Sequence, residues 1–420
     1  MRAVLITILC GALAGCSVWN GEAPERSTAT YNHFPGRHVP FSQASGRVVA
    51  AYLPNYSIAS GYDLNQLPPG NLTHLLYAFL TICGPGQRAS DTQVCANKRD
   101  FALATDDSTQ DETHHTLLAN AKRNAPALKV LASVGGARGS NPFFHMAGES
   151  AKRAVFVASI TEYLNAHPAF DGIDINWEAP TDNLGVDGIR LGSPSDGHAY
   201  IELLGDLRVA LDQLGASHQR RYLLTSAVMT DANLVARIDY FKAQEFVDYF
   251  FAMTYDYFDG RAASVGHHSA LYAPSNAVGI QNLLAAGVRH EKLVLGVAMY
   301  GRGWANCTDP DNPMLGTGDG RFNGAGGAEM YRRLAANYLD AKGNGVQGYE
   351  VRYDPSLHSY YLWNPVTRTF IGYDDPRAVV EKARYATNQN FAGIFAWQLA
   401  LDNGDVLSAM NHGVGNLMDR

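Results

Sequence analysis

Short apolar runs alternate with helix-like stretches along most of the chain, and this alternation limits the fold more than any other feature. Runs typical of buried parallel strands lie at 48–53, 72–79, 129–134, 172–177, 222–228, 249–253, 293–298 and 392–397. Helix-like stretches separate most of them, for example 150–166, 199–214 and 376–386. The repeats predict an α/β fold of the (β/α)8 type, a TIM barrel. A doubly wound sheet is the alternative from pattern alone, although no glycine-rich phosphate loop follows the first run.

A row of polar residues occupies every second position at the end of the fourth run. Asp174, Asn176 and Glu178 alternate with apolar residues, so they lie on one face of the predicted strand. Burying two carboxylates close together costs free energy and pushes at least one toward protonation. A carboxyl group that stays protonated near neutral pH can act as a general acid. The alternative is a strand end whose acids are solvated at a loop mouth.

The octad at 171–178, Asp-Gly-Ile-Asp-Ile-Asn-Trp-Glu, resembles the fourth-strand motif Asp-x-x-Asp-x-Asp-x-Glu of glycoside hydrolase family 18. Around it the chain resembles bacterial chitinases of the chitinase A type. The matching segments run in order from about residue 48 to the C-terminus: Ser133-Val-Gly-Gly136, Asn141-Pro-Phe-Phe144, Leu191-Gly-Ser-Pro194, Met253-Thr-Tyr-Asp256, Ala298-Met-Tyr-Gly-Arg-Gly-Trp304, Tyr373-Asp-Asp-Pro-Arg377 and Asp402-Asn-Gly-Asp405.

The resemblance also implies a domain plan. The interval between the seventh and eighth runs is too long for one helix and is rich in Tyr, Gly and short strand-like pieces. In this family a small α+β domain inserts there, between strand 7 and helix 7, and deepens the cleft. We therefore expect a catalytic barrel at 47–302 and 375–420, with the α+β insertion domain at 303–374.

The resemblance assigns chemistry to the polar row. It implies that Glu178 protonates the glycosidic oxygen and then acts as the base, while Asp174 tunes the site electrostatically. The nucleophile in this family is the substrate's own 2-acetamido oxygen, a substrate-assisted exception to the two-carboxylate scheme. The resemblance also implies that the residue at 176 binds the acetamide N–H. The expected reaction is retaining hydrolysis of β-1,4-linked N-acetylglucosamine in chitin and chitodextrins.

Other matching positions imply sugar contacts. Tyr255 and Asp256 would hold the acetamido group, although a core Tyr followed by a helix-capping Asp is the alternative. For Arg302 a structural pair inside the inserted domain is nearly as plausible as a substrate contact. Trp397 would form the aromatic floor under the sugar. The remaining candidates for substrate binding are Tyr52, Phe79, Gly136, Trp177, Met253, Tyr300 and Glu350.

Three positions depart from the family pattern. Asn176 replaces an Asp, Ala179 replaces an aromatic residue and Ala137 replaces a Trp. Asn176 still offers an oxygen to the acetamide but brings no negative charge, so we expect slowed hydrolysis and an optimum shifted toward acid pH. Ala137 should weaken leaving-group binding and favour short oligosaccharides. The alternatives are a non-hydrolytic chitin-oligosaccharide binding protein, as in chitinase-like lectins, and cleavage of N-glycan cores.

Composition and charge narrow the choice of partners. The 420 residues carry a net charge of −7 with interspersed signs, and no basic stripe is present to neutralise phosphates. We therefore expect no nucleic-acid partner. No Cys/His set shows metal-ligand spacing, so we expect no metal and no cofactor. The expected state is a monomer that acts on chitin or chitooligosaccharides.

The N-terminus has the features of an export signal. An apolar run after Arg2 is too short to span a bilayer comfortably and ends in Leu13-Ala14-Gly15-Cys16, which resembles a bacterial lipoprotein box. The interpretation is a signal peptide at 1–15, lipidation of Cys16 and a flexible tether at 16–46, which gives an exported lipoprotein on the outer membrane or cell surface. An ordinary secretory peptide is the alternative.

Two cysteines flank a Gly/Pro/polar stretch after the second run. In an exported protein, Cys83 and Cys95 are expected to form a loop disulfide, worth about 3 kcal/mol in the loop-entropy model. Two unpaired thiols are the alternative. Cys307 has no evident partner in the sequence.

The lipoprotein interpretation predicts that Cys16→Ser releases the protein from membranes or blocks its processing. The reason is that acylation of this thiol supplies the anchor. Metabolic labelling with a fatty acid, followed by membrane fractionation, measures both effects. A wild-type chain found wholly in the soluble fraction, without a labelled band, would contradict the anchor.

Overall fold

The protein is described here by a computed structural model. It covers residues 31–105, 108–185, 188–259, 263–272, 276–320, 322–323 and 327–419. The described residues from 32 onward belong to one compact unit. The predicted signal peptide, Cys16 and the tether up to residue 30 lie outside the described residues.

The strands follow the apolar runs closely. In chain order they are β1 Phe41–Ser42, β2 Val48–Pro54, β3 His74–Ile82, β4 Leu103–Ala104, β5 Lys129–Gly135, β6 Gly172–Asn176, β7 Leu223–Val228, β8 Tyr249–Ala252, β9 Leu293–Ala298, β10 Tyr300–Trp304, β11 Ala328–Met330, β12 Glu350–Asp354, β13 Ser359–Asn364, β14 Thr369–Tyr373, β15 Gly393–Trp397 and β16 Leu417–Met418.

The α-helices complete the alternation. They are α1 Asn55–Ala59, α2 Thr92–Cys95, α3 Ser108–Asn124, α4 Asn141–Met146, α5 Ser150–Ala166, α6 Asp196–His218, α7 Ala232–Val235, α8 Tyr240–Ala243, α9 Asn276–Ala285, α10 Tyr331–Tyr338, α11 Pro376–Asn388 and α12 Asp405–Gly413. The start of α11 shows a local cause. Asp375 accepts a hydrogen bond from the Arg377 backbone N–H, and Pro376 fills the first helical position. Among the described helices, none is both long and apolar enough to cross a bilayer.

Eight parallel strands close into a barrel. The order is β2-β15-β9-β8-β7-β6-β5-β3, and pairing of β2 with β3 joins the two ends. Side chains of aliphatic and aromatic residues fill its interior, among them Ala50, Tyr52, Leu76, Phe251 and Phe395. The predicted TIM barrel is confirmed, and each of its strands lies within a few residues of a predicted run.

The insertion is a second, antiparallel sheet. It lies between the seventh barrel strand, β9, and the helix α11, with strand order β11-β10-β14-β13-β12 and with α10 beside it. Its first strand, Tyr300–Trp304, starts before the predicted boundary at 303, because only Met299 separates it from β9. One face of this sheet packs a cluster that includes Trp304, Trp363 and Phe370.

Part of the segment predicted as a tether is instead held on the barrel. Strand β1 pairs antiparallel with β16, so the segment before the first barrel strand joins the C-terminus. Asp405 accepts a hydrogen bond from the Gly36 backbone N–H at 2.8 Å, and Asn71 accepts one from Phe41 N at 2.9 Å. The expectation of a free tether up to residue 46 is therefore corrected for residues 36–46. These backbone contacts cannot be read from composition.

The predicted disulfide is present. Cys83 and Cys95 are bonded and close the loop that follows β3. Cys307 is a buried free thiol in the core of the insertion domain.

Candidate active site

The polar row of β6 points into the barrel. Asp174 and Asn176 are buried there, and Glu178 follows just beyond the end of the strand. The residues between them face the surrounding helices. Because β6 is parallel to its neighbours, Glu178 emerges at the carboxyl end of the barrel, where the loops of such folds form their sites.

Asp174 is fixed by hydroxyl groups from three other strands. Tyr52 on β2 donates to Oδ2 at 2.9 Å, Ser133 on β5 donates to Oδ2 at 2.6 Å and Thr225 on β7 donates to Oδ1 at 2.7 Å. Burial raises the pKa of Asp174, while these three donors act in the opposite direction. The carboxyl group is thus immobile and lies deeper in the barrel than the reacting centre that Glu178 would serve.

Glu178 is the carboxyl group best suited to proton transfer. Burial raises its pKa to about 7, the negative charge of Asp256 adds to that increase, and a hydrogen bond from Asn176 opposes it. A carboxyl group with a pKa near the working pH can both give and take a proton. Asp256 therefore supplies a negative charge that acts on Glu178, although Asn176 supplies none.

The side-chain NH2 group of Asn176 is hydrogen-bonded, whereas its side-chain oxygen is not. The amide group donates to Glu178, which leaves the side-chain oxygen facing inward. Among the described residues this oxygen, Oδ1, has no hydrogen-bond partner although it is buried. A buried acceptor without a donor is costly, and such atoms are often completed by a ligand. Oδ1 is therefore suited to accept one N–H group.

Gly136, directly after β5, lets the backbone lie close to the end of β6. Gly136 N donates to Asn176 O at 2.8 Å, and an added Cβ at Gly136 would lie 2.6 Å from the Phe79 ring. Gly136 also has a φ of +78°, which disfavours other residues. Ser140 locks this corner, because its hydroxyl accepts from Glu178 N at 2.9 Å and lies 3.0 Å from Asn176 O. Gly136 thus acts through clearance, not through a polar group.

An aromatic group forms the floor of the site. Trp397 ends β15, is partly exposed and stacks on Phe79 with centroids 5.8 Å apart and planes 22° apart. Its ring also lies 5.5 Å from that of Tyr52. Met253 and Tyr255 pack against the same cluster. This arrangement offers an apolar surface on which a flat sugar face can stack.

Asp256 and Arg302 form a paired wall. Arg302 donates from Nε at 2.8 Å and from Nη2 at 2.7 Å to the two oxygens of Asp256, a bidentate pair that joins the barrel to the insertion sheet. Burial works against the charge of Asp256, yet the interactions with His268 and Arg302 lower its pKa. Tyr300 lies under the guanidinium at 5.2 Å. Arg302 thus forms a structural pair, but with a barrel residue at the site and not inside the inserted domain, which was the alternative in the sequence analysis.

Tyr255 lies between these groups. Its ring is 6.3 Å from that of Tyr300 and 6.1 Å from that of Phe395. Burial raises the pKa of the Tyr255 hydroxyl, and the charges of Glu178 and Asp256 raise it further. The hydroxyl therefore stays protonated and can donate a hydrogen bond at any physiological pH.

Two predicted substrate contacts do not belong to this group. Trp177 is buried on the helix side of β6, stacked on Phe143 at 5.2 Å and edge-on to Tyr200, so no sugar can reach it. Glu350 lies on the edge strand β12, exposed and paired with Arg352 at 2.8 Å. The expectation for Trp177 is wrong, because Trp177 continues the alternate positions of β6 whose side chains point outward, not the positions that point into the barrel. Glu350 serves a surface ion pair.

Sequence analysis missed three supporting residues. Thr225 and Ser140 were not singled out, and Ser133 was named only as part of a matching segment. Ser133 and Thr225 both pair with Asp174 in the strand register, so their hydroxyls lie on the same level of the barrel. Their polarity inside apolar runs was the available signal.

Comparison with known proteins defines the class. The sequence profile described as Glycosyl hydrolases family 18 matches residues 48–402. The chain therefore belongs to glycoside hydrolase family 18.

Individual relatives agree with this assignment. Chitinase A of Pseudoalteromonas piscicida is 36% identical over 88% of this chain and 52% of its own length. A probable endochitinase of Orgyia pseudotsugata multicapsid polyhedrosis virus is 33% identical over 91% of this chain and 74% of its own length. The chain thus spans between about half and three quarters of these relatives. The solved structure of chitinase ChiA74 from Bacillus thuringiensis superposes with a TM-score of 0.78 at 27% identity, covering 89% of this chain and 70% of that one.

The electrostatics of the site predict a measurable pKa. We expect Glu178 to titrate at about 7. Asp256→Asn should lower that pKa, because removing a nearby negative charge favours the ionised carboxylate. Infrared difference titration, with the Glu178→Gln variant used to assign the carboxyl band, measures both values. An equal or higher pKa in Asp256→Asn would contradict the role given to the Asp256 charge.

Proposed function

We propose that the chain hydrolyses β-1,4-linked N-acetylglucosamine oligomers, chitin and chitodextrins, with retention of configuration. The observation that carries this proposal is the pairing of Glu178, protonated near neutral pH by burial, with the open Asn176 oxygen beside it. An acid for the glycosidic oxygen and an acceptor for an amide N–H are the two groups that an N-acetylated sugar requires. The chitinase names of the relatives support the same substrate.

The reaction follows from the positions of these groups. The sugar stacks on Trp397, and its acetamide N–H is accepted by Asn176 Oδ1. Tyr255 donates to the acetamide oxygen and turns it toward the anomeric carbon. Glu178 protonates the glycosidic oxygen as the acetamide oxygen attacks, so the bond to the leaving sugar breaks and an oxazolinium ion forms. Glu178, now ionised, takes a proton from a water molecule as the water oxygen attacks the anomeric carbon, so the bond between that carbon and the acetamide oxygen breaks, the sugar is released with its configuration retained and the acid is regenerated.

Asn176 sets the rate in this proposal. The acetamide nitrogen gains positive charge during the attack, and a neutral amide oxygen stabilises that charge less than a carboxylate does. The amide group of Asn176 also favours the ionised form of Glu178, since its hydrogen bond lowers the pKa. Both effects slow the step that forms the oxazolinium ion.

The leaving-group side favours short substrates. Ala137 lies exposed directly after Gly136 and offers no ring on which a further sugar could stack. Ala179 is buried, so it leaves no such open surface. Together with a lipid anchor at Cys16, which we also propose, this suits a tethered enzyme that trims soluble chitooligosaccharides.

The first test replaces the acid. Glu178→Gln keeps the shape of the side chain but cannot donate and accept the proton, so turnover of chitotetraose should be lost while binding stays within a few-fold. Product analysis by mass spectrometry and calorimetric binding measure the two effects. The exposed Glu112 on α3 provides a matched control as Glu112→Gln.

The outcomes separate the two classes of function. Equal product formation by the Glu178→Gln variant and the wild type would overturn the assignment of the acid. Tight binding of chitohexaose without hydrolysis by either protein would instead identify a chitinase-like lectin.

The second test restores the missing charge. Asn176→Asp should increase kcat on chitotetraose at least about tenfold, equivalent to about 1.4 kcal/mol, because a carboxylate stabilises the charge that develops on the acetamide. The pH above which activity falls should rise, since a like charge replaces an amide donor beside Glu178. KM should change less than kcat.

A companion variant tests the role of the amide oxygen. Asn176→Ala removes the acceptor without adding charge, so its kcat should lie below that of the wild type. Steady-state kinetics of the three proteins across pH decide the question. An unchanged or lower kcat in Asn176→Asp would show that the site is adapted to Asn.

A further inference from the structure

A buried imidazole stands directly behind the wall formed by Asp256 and Arg302. His268 is fully buried, and its Nδ1 lies 3.7 Å from Asp256 Oδ1. Its ring packs on Tyr300 with centroids 5.2 Å apart. Among the described residues neither ring nitrogen has a partner within normal hydrogen-bond distance. An unsatisfied buried imidazole facing a carboxylate indicates a contact that tightens when the site is filled.

The backbone around His268 is rigid. The next residue, Ser269, donates from its hydroxyl to Asp374 Oδ1 at 2.8 Å, and Lys382 donates both to Asp374 and to the Ser269 carbonyl. Asp374 also accepts from Ala298 N, at the end of the seventh barrel strand. His268 O accepts from Tyr257 N at 3.1 Å. The imidazole is thus anchored to the barrel on one side and to the helix α11 on the other.

The charged surroundings of His268 favour contact with Asp256. The imidazole of His268 faces Asp256, which is itself paired with Arg302. His267 is the other ionisable neighbour of His268. Asp374 and Lys382 lie behind the backbone and neutralise each other. Asp256 has a left-handed backbone, with a φ of +61°, a conformation that persists only where surrounding contacts hold the residue.

We propose that His268 is a positioning residue for the reaction, which fixes the Asp256 carboxylate from behind so that Asp256, Arg302 and Tyr255 receive the acetamido group in one geometry. This inference rests on the proposed function. Asp256 is partly exposed, at 38%, and Arg302 pulls it toward the insertion sheet. The contact with His268 is the force that holds it toward the barrel.

The test separates the packing of the His268 ring from the contact that its nitrogen makes with Asp256. His268→Phe keeps the packing on Tyr300 but loses the contact with Asp256, so kcat on chitotetraose should fall about tenfold while KM changes little. The falling limb of the pH profile should move to lower pH, because Asp256 then lies farther from Glu178. His268→Asn returns a polar nitrogen near the position of Nδ1 and should restore most of both losses.

The adjacent histidine provides the control. His267 is as deeply buried, but its ring packs on Tyr361 and Phe370 and its Nε2 lies 3.8 Å from Asp354, away from Asp256. His267→Phe should leave kcat and the pH profile unchanged. Circular dichroism and thermal melts show which variants are folded. Equal losses in His267→Phe and His268→Phe, or no rescue by His268→Asn, would overturn the proposal.

A substrate-free measurement keeps the two proposals apart. Infrared titration of Glu178 should give a lower pKa in His268→Phe than in the wild type. If the wild type cleaves no chitooligosaccharide, the proposed function fails while this titration still reports on His268. If hydrolysis occurs but both the titration and kcat are unchanged in His268→Phe, only the positioning role fails.

Discussion

The carboxylate of Asp174 is the interaction on which the geometry of the site depends. A buried carboxylate is tolerated only when its oxygens are hydrogen-bonded, and here the donors come from three different strands, through Tyr52, Ser133 and Thr225. These bonds hold β2, β5 and β7 in fixed positions relative to β6. Since Asn176 and Glu178 follow two and four residues later on the same face, their positions are set by the same contacts.

The protonation of Glu178 has more than one source. Burial is the largest cause, and the charge of Asp256 adds to it. The loss of a carboxylate at 176 therefore removes one like charge without removing the condition that keeps the acid protonated. Sequence analysis expected an acid shift from Asn176 alone. The structure adds Asp256 as a neighbouring charge that counters that shift.

Much of the fold could be predicted because each buried strand corresponds to an apolar run of similar length in the sequence. Glu178, Asp174 and Trp397 could be placed because each lies at or near the end of such a run. Contacts that depend on register could not be predicted. Ser133 meets Asp174 only because of the stagger between β5 and β6, which no local pattern encodes. The pairing of β12, the edge strand that carries Glu350, with β13 could not be predicted for the same reason.

The failed prediction for Trp177 shows a different limit. Its parity along β6 already placed it among the outward residues, and its packing on Phe143 confirms that direction. The strand period alone places Trp177 on the outward face, although the residue is adjacent to Glu178 in the motif. The face of the strand on which a residue lies is thus a stronger guide to its contacts than its distance along the sequence from a catalytic residue.

The insertion domain contributes charge as well as shape. Arg302 belongs to the first strand of its sheet, and its bidentate pair with Asp256 keeps that carboxylate ionised at the end of β8. The ionised Asp256 in turn raises the pKa of Glu178. A barrel without this sheet would leave Asp256 without its ion pair to Arg302. The electrostatic effect of Asp256 on the pKa of Glu178 would then differ. The insertion is therefore coupled to proton transfer through one ion pair, so its sequence is constrained by the chemistry as well as by the shape of the cleft.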